Sequence, residues 1–284
     1  MIVSVVICTK NRAAPLERCL RAFAQLRPLE GAELIVVDNG SDDRTGEVAK
    51  DCATMLSIPL RVISCDAPGI GHAMNKGLHS SHAPIVAFTD DDCYPEENYL
   101  HALCASFQSD PAVGFVAGRI LLHDPQDAPI TIMESTTSYS LPAGKLLPPG
   151  HVHGANLAFR RIALEEIQGF DPLFGPGSYI GSGADCDAAA RVCLRGWAGM
   201  YDPNVVVRHH HGRKQEDVPN LMRRYAIGRG GFFAKMALKE GRPLMAARAF
   251  ASSLLHDRRD LGMVQSQLIG SLRYAKAFVG LVRP

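Results

Sequence analysis

Short apolar runs recur through the first hundred residues, and each ends in a cluster of polar side chains. Residues 3–8, 33–38, 60–64 and 85–89 are rich in Val, Ile and Leu. Their near-continuous hydrophobicity predicts strands covered on both faces. Between the first two, Leu16, Cys19, Leu20, Phe23 and Leu26 repeat at helical spacing behind Pro15, a residue favoured at the start of a helix. Strands alternating with helical segments specify β-α-β units, hence an α/β fold with a mainly parallel central sheet flanked by helices. In open sheets of that kind ligands bind beyond the carboxyl ends of the strands. Those ends carry Thr9-Lys10-Asn11-Arg12, Asp38-Asn39-Gly40-Ser41 and Asp90-Asp91-Asp92, so three polar clusters are expected to meet at one edge.

From about residue 118 to 150 the periodicity weakens and Pro125, Pro129, Pro142, Pro148 and Pro149 accumulate, which predicts a long functional loop over a substrate. Order resumes with Gly154-Ala155-Asn156-Leu157-Ala158-Phe159, then a helix from about Arg161, a Gly/Pro-rich turn over 174–183, a helix through Leu194 and a strand over 204–208. Beyond Gly212 the pattern is wholly helical, with no internal repeat or low-complexity segment. There Arg223, Arg224, Arg229, Lys235, Arg242 and Arg248 interleave with Leu221, Met222, Phe232, Phe233, Leu244, Phe250 and Leu254. No apolar run in this tail approaches the roughly 18 residues of a spanning helix, so membrane contact through 213–284 would be peripheral. Packing on its own domain, or on a second copy in a homodimer, is the alternative reading.

Composition narrows the class. With 284 residues and 46% hydrophobic content the chain can bury a large core, as a globular enzyme does. Its 30 basic and 29 acidic side chains nearly cancel, which argues against a nucleic-acid binder that grips phosphates by a global field. Eight cysteines scattered through apolar runs without a C-x-x-C pair read as reduced core residues and point to a cytoplasmic compartment. The first eight residues lack a basic region and reach a turn at once, so they read as a strand and not as a signal peptide.

Three adjacent carboxylates, Asp90-Asp91-Asp92, repel one another unless a cation offsets them. A divalent ion such as Mg²⁺ or Mn²⁺ that bridges to phosphate oxygens is one reading. An acidic cap on a helix near Pro95 is the other. Asp38 or Asn39 is placed to hydrogen-bond a nucleobase edge, although Asx residues after a strand also form ordinary turns. Gly69-Ile70-Gly71 lacks the third glycine and the position of a dinucleotide fingerprint, and no P-loop occurs. Asp185 and Asp187 open an Ala-rich helix, where one carboxylate can cap and another can accept a proton from a hydroxyl. His209-His210-His211 follows a strand that sets His209 and His211 on one face, and His151 and His153 form a second pair; both are metal-ligand candidates.

The order and spacing of Ser4-Val5-Val6-Ile7-Cys8-Thr9-Lys10-Asn11-Arg12, Val36-Val37-Asp38-Asn39-Gly40-Ser41, Phe88-Thr89-Asp90-Asp91-Asp92-Cys93 and Gly169-Phe170-Asp171 resemble the family 2 inverting glycosyltransferases of GT-A fold, over roughly residues 1–212. The resemblance implies a nucleotide-sugar-binding half over 1–118, an acceptor-binding half over 119–212 and a helical C-terminal extension over 213–284. It implies that Thr9, Asn11, Asp38 and Asn39 line the nucleotide pocket and that Asn75 lies beside the sugar donor. Asp90, Asp91 and Asp92 then supply the D-x-D, with Asp90, Asp92 and His209 at a divalent metal (Mn or Mg). Asp185 matches the base that deprotonates the acceptor. The donor substrate is a nucleoside-diphosphate sugar, and the acceptor a carbohydrate, lipid-linked or small molecule, in polysaccharide or cell-envelope biosynthesis. Two positions depart from the pattern. Ala184 replaces the usual Glu, whose place Asp187 would have to fill, and Met74 replaces an Arg before Asn75, leaving Lys10 or Arg12 to balance the diphosphate. A sugar nucleotidyltransferase and a non-catalytic sugar-nucleotide-binding subunit are the competing classes.

Overall fold

The computed structural model describes residues 2–281. The strands are β1 (Val3–Thr9), β2 (Ala32–Asp38), β3 (Leu60–Ser64), β4 (Ile85–Asp90), β5 (Cys93–Pro95), β6 (Val113–Leu122), β7 (Tyr139–Leu141), β8 (Leu157–Arg160) and β9 (Ala198–His209). They form one sheet in the order β3-β2-β1-β4-β8-β6-β9-β5, with β7 attached to β9. From β3 to β4 every pairing is parallel. β8 then joins β4 and β6 antiparallel, and β6 pairs β9 parallel.

Side-chain alternation along the strands divides the core between the two faces of the sheet. Val5, Ile7, Leu34 and Val36 pack with Leu16, Cys19, Leu20 and Phe23 of α1 (Ala13–Phe23), the helical stripe visible in the sequence. On the other face Val6, Ile35, Val37 and Phe88 meet Ala73, Met74 and Leu78 of α3 (Ile70–Ser80). Helices α2 (Thr45–Cys52), α4 (Tyr99–Ser109), α5 (Arg161–Glu166) and α6 (Ala184–Leu194) complete the two covers.

Three expectations change. Residues 118–122 belong to β6, so the long connection begins at His123 and is itself interrupted by β7. The strand read from 204 starts at Ala198. Its early part is masked in the sequence because the β6–β9 register jumps from Gly118↔Asp202 to Arg119↔Val206, leaving Pro203 in an irregularity. Pro95 lies in β5 and the next helix starts at Tyr99, so the aspartate triplet caps no helix.

The tail is also less of an appendage than its sequence suggests. It comprises α7 (Val218–Leu238), α8 (Pro243–His256) and α9 (Leu261–Phe278). α7 and α9 meet at Gly230 and Gly270, where a Cβ on either would strike a backbone carbonyl of the other helix. Leu221, Phe232, Phe233 and Met236 of α7 are buried. Lys235 was expected on a basic surface and is only 1% exposed. Its Nζ lies 2.8 Å from Asp171 and 2.8 Å from Asp187. Arg191 sits 2.7 Å from Asp187 and donates to the Ile167 and Gly169 carbonyls. Two cations thus balance two carboxylates where the 167–171 turn, α6 and α7 meet.

Removing one partner of such a cluster strands a buried charge. Lys235→Met is therefore expected to lower unfolding stability by about 3–5 kcal/mol. Denaturant unfolding of the variant checks this, and a loss below about 1 kcal/mol, the ceiling typical of exposed pairs, would contradict it.

Candidate active site

The antiparallel pairing of β5 with β9 sets Cys93 opposite His209 and folds the histidine over the end of β4. His209 Nε2 lies 3.2 Å from Asp92 Oδ1 and 3.9 Å from Asp90 Oδ2. Asp92 Oδ1 and His209 Nδ1 are buried without a well-aligned hydrogen-bond partner among the described residues. An unsatisfied buried polar atom costs about 1–3 kcal/mol, so a bound cation or water here would be favourable. Donor atoms of Asp90, Asp92, Cys93 and His209 lie within 4.8 Å of one another. Burial raises the pKa of the Cys93 thiol. The two carboxylates and the imidazole are a set that suits a divalent cation such as Mn²⁺.

The third aspartate faces elsewhere. Thr9 Oγ1 donates to Asp91 at 2.7 Å, and Arg12 Nε to the same carboxylate at 2.6 Å. The second arm of Arg12 reaches Asp92 Oδ2 at 2.6 Å. Thr9 therefore spends its buried hydroxyl on the triplet, and Arg12 is a fork across two of its carboxylates. Desolvation, then the charges of Asp92 and Asp91, push the pKa of Asp90 up to about 6, with His209 opposing them. For Asp92 burial acts in the same sense, but His209 and Arg12 outweigh it and hold the pKa below the usual carboxylate value.

The neighbouring loops are tied by the other residues singled out in the sequence. Asn11, at a positive φ of 54°, donates its N–H to Ser41 Oγ and accepts from the Asp42 N–H. Asp38 Oδ1 accepts from the Ser41 N–H at 2.9 Å. Asn39 donates its amide to the carbonyls of Cys65 and Ala67. Asn75, expected beside the donor, is not brought into the cavity: its amide donates to the Phe170 carbonyl and accepts from the Phe170 N–H, both at 2.8 Å. It clips α3 to the turn that leads to Asp171.

A cavity of about 690 Å³ opens beside Asp90 and His209. Asp185 and His153 line it from the second half of the domain, and Met74 from α3. Asp185 lies in the first turn of α6, yet that helix start has no side-chain cap. The Asp185 carboxylate instead accepts the Gly154 N–H at 2.8 Å. Asp187 is fully buried against Arg191 and Lys235, so it does not replace the carboxylate missing at Ala184. The sequence reading missed Arg213, Arg224 and Tyr225 as cavity residues. Its available signal was the spacing Arg224, Gly228, Phe232, one face of a helix broken by a residue too small for a surface role.

A parallel half with a D-x-D at a strand end, joined to a half that offers a helix-borne aspartate, is the arrangement of the GT-A class of glycosyltransferase. The chain belongs to glycosyl transferase family 2, whose pattern matches residues 4–168. It is 30% identical over 223 residues to the pre-mycofactocin glycosyltransferase of Mycobacterium tuberculosis, a match covering 76% of this chain and 44% of that protein. Glycosyltransferase AglE of Haloferax volcanii is 34% identical over 119 residues, 42% of this chain and 39% of that one. The chain thus spans less than half the length of these curated relatives. Among solved structures, the mannosyltransferase PcManGT from Pyrobaculum calidifontis, in complex with GDP-Man and Mn²⁺, superposes with a TM-score of 0.64 at 20% identity, covering 99% of this chain and 88% of that one. S. aureus TarS 1-349 in complex with UDP-GlcNAc gives 0.61 at 17% identity, covering 98% and 92%. These superpositions show the GT-A fold, with the helical region added at the C-terminus.

Asp90 must lose its proton to bind a cation. Because its pKa is raised to about 6, Mn²⁺ affinity is expected to be flat at higher pH and to fall as pH drops below about 6. Calorimetric titration at pH 5 and pH 7.5 checks this, with Asp92→Ala as the variant expected to lose Mn²⁺ binding at both. Equal affinities at the two pH values would contradict the role of Asp90.

Proposed function

We propose that this protein is a metal-assisted inverting glycosyltransferase that moves a sugar from a nucleoside-diphosphate sugar to an acceptor hydroxyl. The observation that carries the reading is that Asp185 and the Asp90–His209 end of the carboxylate cluster line one cavity. In this reading residues 1–118 take the donor, residues 119–212 take the acceptor, and α7 closes the cavity. Family membership and the names of the relatives support it.

Asp185 accepts the proton of the acceptor hydroxyl as its oxygen bonds to the anomeric carbon. The bond from that carbon to the diphosphate breaks on the opposite face, and the nucleoside diphosphate leaves with the electron pair. Asp90, Asp92 and His209 would hold a divalent cation, which when bound would supply positive charge beside that leaving group. Arg12 keeps Asp91 and Asp92 close together despite their like charges. Met74 brings no cation to the diphosphate, and Arg213, whose charge bears on Asp92, is the cavity residue at that end.

Asp185→Asn keeps the Gly154 contact but cannot take a proton, so turnover is expected to fall by about 10²–10⁴-fold with nucleoside diphosphate affinity unchanged. Release of free nucleoside diphosphate from sugar nucleotide plus acceptor measures this. Near wild-type turnover in the variant would remove Asp185 as base, and pyrophosphate release by the wild type would identify a nucleotidyltransferase instead.

We also propose that α8 and α9 rest on an anionic membrane surface, where a lipid-linked acceptor would be met. No helix of the described residues is long and apolar enough to cross a membrane. Leu261, Leu268 and Leu272 form one stripe of α9, with exposures of 78%, 47% and 61%. Over residues 243–281 Arg248, Arg258, Arg259, Arg273 and Lys276 stand against only Asp257 and Asp260. Both acids are engaged, one by Arg229 and one as the cap of α9. Flotation with anionic vesicles is expected to carry the protein at low salt and release it at high salt. Protein left unbound at low salt would leave the tail as a packing or dimerisation element.

A further inference from the structure

The charged side chains on the cavity wall are Asp90, Asp185, Arg213, Arg224 and Arg229. Arg229 is paired with Asp257. The guanidinium groups of Arg213 and Arg224 have no carboxylate within ion-pair distance and no hydrogen-bond partner among the described residues; only their backbone groups are bonded. Arg213 is half-buried and Arg224 exposed at the cavity wall, and a guanidinium without a counterion there is free to take an oxyanion.

The two cations serve different ends of the cavity. Arg213 bears on Asp92, at the metal end. Arg224 belongs to the base: Ser182 Oγ donates to the Arg224 carbonyl at 2.9 Å, and Ser182 leads through Gly183 and Ala184 into Asp185. The contact is tight enough that a Cβ on Gly228, one turn further along α7, would collide with Ser182. Tyr225 sits between the two ends, within the field of Asp185, Asp90, Arg213 and Arg224, and burial raises its phenol pKa so that it stays protonated. Ala184, 5% exposed, brings a methyl group and no second carboxylate to the wall beside Asp185.

In an inverting displacement the attacking oxygen and the departing diphosphate lie on opposite sides of the anomeric carbon. Arg224, whose backbone is tied to the segment before Asp185 and which lines the same cavity, therefore approaches from the acceptor side. We infer that the acceptor carries an oxyanion, a phosphate or a carboxylate, close to its attacking hydroxyl, and that Arg224 holds this group with the Tyr225 hydroxyl as a second donor. The inference rests on the glycosyltransferase reading in one respect, that Asp185 marks the acceptor end. A planar guanidinium presents two parallel N–H groups to an oxyanion, which a lysine ammonium does not reproduce.

The test separates the inference from the reading it rests on. Binding of UDP or GDP with Mg²⁺, measured by calorimetry, examines the donor site alone. Inorganic phosphate and acetate are then titrated onto the protein saturated with that nucleotide, with phosphate followed by ³¹P NMR. Wild type is expected to bind at least one of the two anions alongside the nucleotide. Arg224→Gln is expected to weaken that binding at least tenfold, with Arg224→Lys intermediate and the melting temperature unchanged in both. Neither anion binding to the nucleotide complex, or equal binding by Arg224→Gln, would overturn the proposal. So would anions that simply displace the nucleotide, since Arg224 would then serve the diphosphate. If no nucleotide binds, the donor reading fails, and the same titrations on the free protein still decide whether Arg224 holds an anion.

Discussion

One buried ammonium holds the two halves of this molecule's chemistry in register. Lys235 lies between Asp171 and Asp187, with Arg191 on the far side of Asp187. Four charges taken out of water are tolerable only when each is met, so the positions of three segments are fixed together. The turn at Asp171 is also the segment that Asn75 clips to α3, and Asp187 lies one half-turn along α6 from Asp185. The sheet, the helix that bears Asp185 and the C-terminal helices thus share one electrostatic joint. The tail belongs to the catalytic domain in the physical sense that its lysine completes the domain's core.

At the other end of the cavity, three consecutive aspartates are made compatible by being given different partners. Asp91 turns to Thr9 and Arg12, Asp92 is shared between Arg12 and His209, and Asp90 is left facing the cavity with a raised pKa. Backbone alternation at a strand end separates the three carboxylates, and the long side chain of Arg12 spans the gap. The site therefore combines carboxylate charge that the protein compensates itself with one carboxylate, Asp90, that it leaves open to the cavity.

The parallel half of the fold was legible because its signals are local. Apolar runs of five to seven residues, a helical stripe behind Pro15 and polar strand ends need no tertiary information, and each lies where its pattern put it. Asp90, Asp92 and His209 were also legible as a group, although only the resemblance linked residues more than a hundred positions apart. What the sequence concealed depends on partners far along the chain. Lys235 reads as a surface cation until two buried carboxylates are placed around it. Asn75 reads as a ligand group until Phe170 takes both ends of its amide. The start of β9 was hidden by a register jump that breaks the alternation on which a strand is recognised. Arg224 and Tyr225 looked like part of an amphipathic tail, and only the close seating of Gly228 against Ser182 turns that face toward the cavity.

That seating has a mechanical consequence. Because α7 touches the segment before Asp185 with no room for even one carbon, and is pinned about two turns further on by Lys235, α7 and the start of α6 are held together at two points. Swinging that helix outward would strain its seat on the segment before Asp185. Thr131, Pro149 and Gly150 of the proline-rich connection contribute another stretch of the cavity wall. Pro149 fixes its own φ there, which narrows the backbone shapes of that stretch. The cavity is thus bounded by two separate elements of the chain, a helix seated by close contact and a loop shaped by proline, and either can diverge without disturbing the other.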